Sequence, residues 1–242
     1  MRCSSTLPTL IAIVVLAGCG GSDPTSTGPG TTTSAVQPGA DAGTTLVAAL
    51  GDSITAGAPL WDPDPATRAG LAATADERSQ YEYWAARADP SLEFRNCGAS
   101  GERTDQIALR LEDCVAGADA LVVQGGINDI AQGRPVAAVA RDVRAMVARG
   151  TQLGLRVAIA ELLPWNNGHP AADDEIERLN RLIGAIGRDE RVPVLRWHRA
   201  LEDPGEPGTM RSELTIDGDH PSIAGYRNLG RRFFELPGGG SG

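Results

Sequence analysis

Serine hydrolysis needs a hydroxyl, a neutral imidazole to take its proton, a carboxylate to orient that imidazole, and N–H donors for the oxyanion. The 242-residue chain has few ways to assemble that set, because it holds three histidines: His169, His198 and His220. His220 has Asp217 three residues before it, in Asp217-Gly218-Asp219-His220-Pro221, where a tight turn can aim the carboxylate at Nδ1. His169 has Asn166 at that offset and His198 has Leu195, and neither orients and charges an imidazole as well. Ser53, in Gly51-Asp52-Ser53-Ile54-Thr55, sits on a glycine-led turn that can expose its Oγ. Gly101 lets its backbone N–H approach an oxyanion with no Cβ in the way. Asn128, in Gly126-Ile127-Asn128-Asp129, offers a side-chain amide. The chemistry expected is acyl transfer through a covalent Ser53 intermediate, with His220 as base and Asp217 orienting it. The oxyanion donors are then the N–H groups of Ser53 and Gly101 and the Asn128 amide.

Each piece has an ordinary structural reading. Gly-Asp-Ser is a common turn. Asp-Gly-Asp-His-Pro also reads as a helix start, with an acidic cap and Pro221 in the first turn. Asn128-Asp129 can cap the following helix. Trp61, Trp165 and Trp197 suit packing as well as they suit substrate stacking. The conjunction of the pieces, in order and at matching places, is what points to catalysis.

Those places come from the elements. Five short apolar runs read as buried strands: Leu46–Leu50, Leu92–Arg95, Ala120–Val123, Arg156–Ala160 and Val192–Leu195. Between them lie stretches of helical period over Glu82–Ala88, Thr104–Leu111, Val136–Arg149, Ala172–Arg188 and Ser222–Leu236. The alternation predicts a parallel sheet with helices on both faces. In such sheets ligands sit at the carboxyl ends of the strands, and the four candidate segments follow strands or precede the last helix there. Residues 57–74, with Trp61-Asp62-Pro63-Asp64-Pro65, read as a long irregular excursion whose prolines forbid regular helix.

Together the blocks resemble the SGNH/GDSL hydrolase family. Gly51-Asp52-Ser53 places that family's nucleophile on Ser53. Gly101 stands for the second block, with Gly98 as a rival. Gly126-Ile127-Asn128-Asp129 puts the oxyanion donor on Asn128, and Asp217-Gly218-Asp219-His220 supplies the last block. Position 54 is Ile where the family name implies Leu, an apolar exchange. The resemblance spans the whole predicted domain. It implies a three-layer α/β/α sandwich, flavodoxin-like with a parallel five-stranded sheet, and chemistry with no metal or other cofactor.

Composition bounds the partners. The chain carries 22 basic and 31 acidic residues, net charge −9, which opposes non-specific nucleic-acid binding. Every basic residue is arginine, so Schiff-base, P-loop-lysine and Ser-Lys mechanisms are excluded. Residues 1–18 read as an export signal: Arg2, then the apolar run Leu10–Ala17, too short for a permanent span. The run ends in Leu16-Ala17-Gly18-Cys19, which resembles a bacterial lipobox with Cys19 as the lipidated residue. The Gly/Ser/Thr/Pro-rich stretch 19–44 reads as a tether, 45–236 as one domain and 237–242 as a flexible tail. The expected product is an exported monomer, held to the envelope membrane through its N-terminal lipid alone. Its acidic domain is expected to stand off anionic headgroups. Cys97 and Cys114 remain as a pair for an oxidising compartment, where a bridge would contribute about 3 kcal/mol.

The substrate is left open between short-chain esters and acyl esters of glycans or lipids. Three other readings compete. An O-acyltransferase or a carbohydrate deacetylase would share the residues, a binding lipoprotein would lack turnover, and a flavin or nucleotide binder would fit poorly with Asp52 beside phosphates.

Overall fold

The computed structural model describes residues 43–238. Cys3, Cys19 and the rest of the N-terminal segment, and residues 239–242, lie outside the described residues. Five strands form one all-parallel sheet: β1 (Thr45–Gly51), β2 (Leu92–Gly98), β3 (Ala120–Val123), β4 (Arg156–Ala160) and β5 (Val194–Leu195), in the spatial order β2-β1-β3-β4-β5. The helices are α1 (Ser53–Ala56), α2 (Pro65–Gly70), α3 (Tyr81–Ala88), α4 (Thr104–Leu109), α5 (Leu111–Val115), α6 (Ile127–Ala131), α7 (Val136–Gln152), α8 (Asp173–Glu190), α9 (Trp197–Leu201) and α10 (Ile223–Arg232).

Period-two alternation along the strands builds two cores. Ala48, Leu50, Leu121, Val123, Val157 and Ile159 face α4, α5, α7 and α8. Val47, Ala49, Val122, Ala158 and Leu195 face the other way, against Tyr81 of α3, Trp197 of α9 and Tyr226 of α10. With helices on both faces, the strands are apolar on both sides, which is why they read as continuous runs. The strand order reverses between β1 and β3, so a crevice opens beyond Gly51 and Val123 at their carboxyl ends.

Several expectations need correction. Residues 57–74 are not wholly irregular: α2 begins at Pro65, the first helical position, where a missing N–H costs nothing, with Asp64 accepting from Thr67 N–H as cap. The stretch 104–111 is two short helices that break at Arg110, whose guanidinium turns back to the strand ends. The last helix stops at Arg232 rather than Leu236. Trp197 Nε1 captures the Phe233 carbonyl at 3.0 Å, and Phe234 packs beside Phe94. Pro221 lies outside that helix, which is capped by Ser222. β5 is shorter than 192–195, while β2 runs on to Gly98 through polar residues that do not look like a strand.

Candidate active site

The β1–α1 turn fixes Ser53. Asp52 is the cap of α1, its Oδ1 accepting from Ile54 N–H at 2.9 Å. Gln124, just past β3, accepts from Asp52 N–H (3.2 Å) and from Thr55 Oγ1 (2.9 Å), tying the turn to the neighbouring strand. Ser53 is the first helical residue, so its N–H is one of the donors a helix start leaves unused.

His220 Nε2 lies 3.0 Å from Ser53 Oγ, and His220 Nδ1 lies 2.8 Å from Asp217 Oδ2. The turn that does this is self-supporting. Asp217 Oδ1 accepts the backbone N–H groups of Asp219 (2.9 Å) and His220 (2.7 Å), and Gly218 takes the left-handed conformation at its centre, φ +88°. Partial burial would raise the Asp217 carboxyl, but the His220 ring, the His220 N–H and the Asp219 N–H outweigh it and hold it below its ordinary value. Trp165 Nε1 (2.6 Å) and Asn167 Nδ2 (2.7 Å) both donate to Asp219 Oδ1, bracing the turn from the β4–α8 loop. Trp165 therefore has its indole N–H committed to the turn, and Trp61 is covered by the Arg68 guanidinium, 4.6 Å from its ring centroid.

The loop after β2 joins them. Ala99 N–H donates to Gly51 O at 3.0 Å, and Asn128 Nδ2 donates to Glu102 O at 2.9 Å. That bond uses one proton of the Asn128 amide and leaves the other. The two candidate glycines separate by environment. A Cβ at Gly98 would collide with the backbone of Ala56, and its N–H is taken by Asn96 Oδ1 at 2.9 Å. Gly101 is exposed at φ +82°, with no partner for its N–H among the described residues. Of the two, only Gly101 keeps a free donor.

Residues that sequence reasoning did not single out hold this assembly. Asn96 Nδ2 donates to Thr55 O at 2.8 Å and to Gln80 Oε1 at 3.0 Å. Arg110 donates to Glu102 Oε2 (2.9 Å from Nε), Cys97 O (2.6 Å) and Gly51 O (3.1 Å), joining both strand ends to the loop. Asp129 does not cap its own helix. Fully buried, it accepts from Thr104 N–H (2.8 Å) and Thr104 Oγ1 (2.9 Å), with Arg134 as its counter-charge. No signal within one segment marks the roles of Asn96, Arg110 and Asp129, since most of their partners lie far off in the chain. The cysteine pair expected from the sequence is joined: Cys97 near the end of β2 and Cys114 in α5 are disulfide-bonded, with Cα atoms 6.0 Å apart.

Asp52 is wholly buried, and burial pushes its carboxyl up to about 6 against the Ile54 N–H, Gln124 and the nearby His220. Its Oδ2 has no hydrogen-bond partner among the described residues. The remaining histidines are elsewhere: His169 Nδ1 pairs with Asp173 at 2.8 Å, and His198 Nδ1 meets Leu162 O at 3.0 Å. Only His220 contacts a serine hydroxyl among the described residues.

A cleft of about 630 Å³ adjoins the braced turn, lined by Ile130, Pro135, Trp165, Asn167, His169 and Arg178 among others.

A model of the GDSL-like lipase/acylhydrolase family matches residues 49–227. No curated protein matches the chain. Solved structures do. A lipolytic protein of the G-D-S-L family from Desulfitobacterium hafniense is 19% identical with a TM-score of 0.64, over 77% of this chain and 96% of its own. A lipase/acylhydrolase from Enterococcus faecalis is 22% identical with a TM-score of 0.61, over 77% and 92%. A mutant of an acetyl-xylooligosaccharide esterase from Geobacillus is 18% identical with a TM-score of 0.61, over 78% and 92%. At such identities the likeness is one of fold, and the α/β sandwich with its all-parallel five-stranded sheet is shared. The family match covers most of the described domain and every block of the site: this chain belongs to the GDSL-like lipase/acylhydrolase family.

Proposed function

We propose that the chain is a serine esterase acting through an acyl-enzyme on Ser53. The observation that carries this is the unbroken path from Ser53 Oγ to His220 Nε2 and from His220 Nδ1 to Asp217, at 3.0 and 2.8 Å. His220 takes the Ser53 proton as Oγ attacks the ester carbonyl. The carbonyl oxygen becomes an oxyanion, held by Ser53 N–H, Gly101 N–H and the free proton of the Asn128 amide. His220 then gives its proton to the leaving alcohol. Water, deprotonated by His220, releases the acid in the second half.

The substrate we favour is a short acyl ester on a polar carrier, such as an acetylated glycan. The adjoining cleft mixes Trp165, Ile130 and Pro135 with Arg178 and His169, a lining that suits sugar hydroxyls better than a long alkyl chain. The Geobacillus neighbour, by its description an esterase of acetylated xylooligosaccharides, accords with that choice. Export and lipidation at Cys19 belong to the same proposal and would place the enzyme at the cell envelope.

The test is hydrolysis of p-nitrophenyl esters from acetate to palmitate by the wild type and by Ser53→Ala, with fluorophosphonate labelling of Ser53. Turnover highest on acetate and lost in the variant is expected. An unlabelled Ser53 with no turnover on any ester would overturn the enzymatic reading in favour of a binding lipoprotein. A profile rising toward palmitate would overturn the choice of substrate. Faster transfer to a sugar hydroxyl than to water would make the protein an acyltransferase.

A further inference from the structure

The net charge of −9 is not spread evenly. Along the edge of the sheet beyond β5, three adjoining hollows of about 730, 160 and 410 Å³ run from α8 past α9 to α10. Arg196 lines the first two and Arg232 the last two, so the band is continuous. Eight arginines and four glutamates line it. Two of the arginines are neutralised, Arg181 by Glu177 at 3.2 Å and Arg196 by Glu161 at 2.8 Å. The other six, Arg188, Arg199, Arg211, Arg227, Arg231 and Arg232, have no carboxylate partner among the described residues. All but Arg211 are exposed.

We propose that this basic band docks the domain on the phosphate headgroups of an anionic lipid bilayer. Guanidinium groups match phosphate oxygens by two parallel hydrogen bonds, and unpaired ones have that capacity unspent. The chain enters the domain near one end of the band: Thr45, the first residue of β1, lines a neighbouring hollow that shares Arg231 with it. The sequence leading there from Cys19 is Gly/Ser/Thr/Pro-rich, and a chain of that composition and length has a mean reach of about 25 Å. A domain tethered so near a bilayer engages it by an intramolecular step, so the tether adds to the band's own, weaker affinity for the surface. Ser53 opens α1 just beyond the carboxyl end of β1, and β3 and β4 separate β1 from the β5 edge, so docking there leaves the catalytic crevice away from the contact strand. The proposal draws on the lipobox reading for the tether and is independent of the esterase assignment. It revises the expectation that an acidic domain stands off the membrane, because average charge says nothing of its distribution.

The experiment is co-sedimentation of the full chain with phosphatidylcholine vesicles, with and without 30% phosphatidylglycerol, at about 0.1 M and 0.5 M salt, where screening differs. Each arginine at an anionic surface is worth roughly a five-fold partition factor. Arg188→Gln/Arg199→Gln and Arg231→Gln/Arg232→Gln are therefore each expected to bind phosphatidylglycerol vesicles about 30-fold more weakly. The same charge change on α7, Arg141→Gln/Arg149→Gln, is expected to matter far less. Cys19→Ser is expected to lower binding to both vesicle types while keeping the preference for phosphatidylglycerol. That arm separates failure of the tether from failure of the band. Equal binding to both vesicles, equal losses from the α7 variant, or loss of the preference with Cys19→Ser would overturn the proposal. So would band-dependent binding of inorganic pyrophosphate with none to vesicles, which would make the band a site for soluble phosphates.

Discussion

Asp52 stands next to Ser53, the proposed nucleophile, wholly buried, with one oxygen capping α1 and the other without a partner among the described residues. Burial lifts its pKa from 3.8 to about 6. The shift is roughly two units, or about 3 kcal/mol of preference for the neutral form. Between those values the folded chain holds a proton that the unfolded chain has released, so stability falls as pH rises through the window. The loss is absent below about pH 4 and complete above about pH 6. Asp52→Asn removes the ionisation while its side-chain oxygen can still cap Ile54 N–H. Its amide hydrogens would then face the place where Oδ2 had no partner, a cost of about 1–3 kcal/mol that does not depend on pH. The diagnostic is thus the slope and not the offset. The melting temperature of the variant minus that of the wild type should rise by roughly 6–12 °C from pH 4 to pH 7, at 2–4 °C per kcal/mol. Turnover should move the other way above pH 6, falling about five-fold, because the ionised Asp52 is one of the charges near the His220 imidazolium. Thermal melts across pH, with steady-state ester kinetics alongside, decide it. A melting difference that is flat with pH would refute the assignment of an uncompensated buried carboxyl.

Asn128→Ala should lower kcat by about 10²–10³, the usual loss for one oxyanion donor, with KM changed little; a near-normal kcat would remove Asn128 from the oxyanion site. Cys97→Ala/Cys114→Ala should destabilise by about 3 kcal/mol, read as a lower denaturant midpoint that reductant no longer shifts. Glu82 is buried on α3 with neither carboxyl oxygen bonded, and burial holds its pKa well above the ordinary value. Glu82→Gln should therefore gain stability relative to wild type as pH rises above the ordinary carboxylate range. An unchanged difference from pH 4 to pH 8 would show that Glu82 is solvated.

What the sequence made legible follows from how local each signal is. β3 and β4 are short, largely apolar runs, and their observed ends coincide with those of the runs. The contact between Asp217 and His220 was legible because the four residues from one to the other carry that relation within one segment. The end of β2 was not, because Asn96, Cys97 and Gly98 are polar or small for reasons found on other elements. Asn96 bonds Thr55, Cys97 bridges Cys114, and Gly98 makes room for Ala56. α9 escaped because five residues are too few to display a period. The choice between Gly98 and Gly101 likewise needed the acceptor on Asn96, two residues from one candidate and invisible as a bond in the sequence.

The same distinction says where the site is vulnerable. Of the candidate triad, Asp217 and His220 come from a turn that bonds largely to itself and Ser53 from the β1–α1 turn, while the proposed oxyanion donors come from three segments held by Arg110, Asp129 and the Asn128–Glu102 bond. Arg110 alone contacts three acceptors, on β1, on β2 and on the loop that follows β2. Side-chain bonds of this kind couple, so losing one loosens the others. Mutations at these supporting residues should therefore damage oxyanion binding while leaving Ser53 able to react with a fluorophosphonate, whose reaction still draws on the His220–Asp217 pair. The candidate residues can be read from four short motifs, but their relative placement is a property of contacts between motifs.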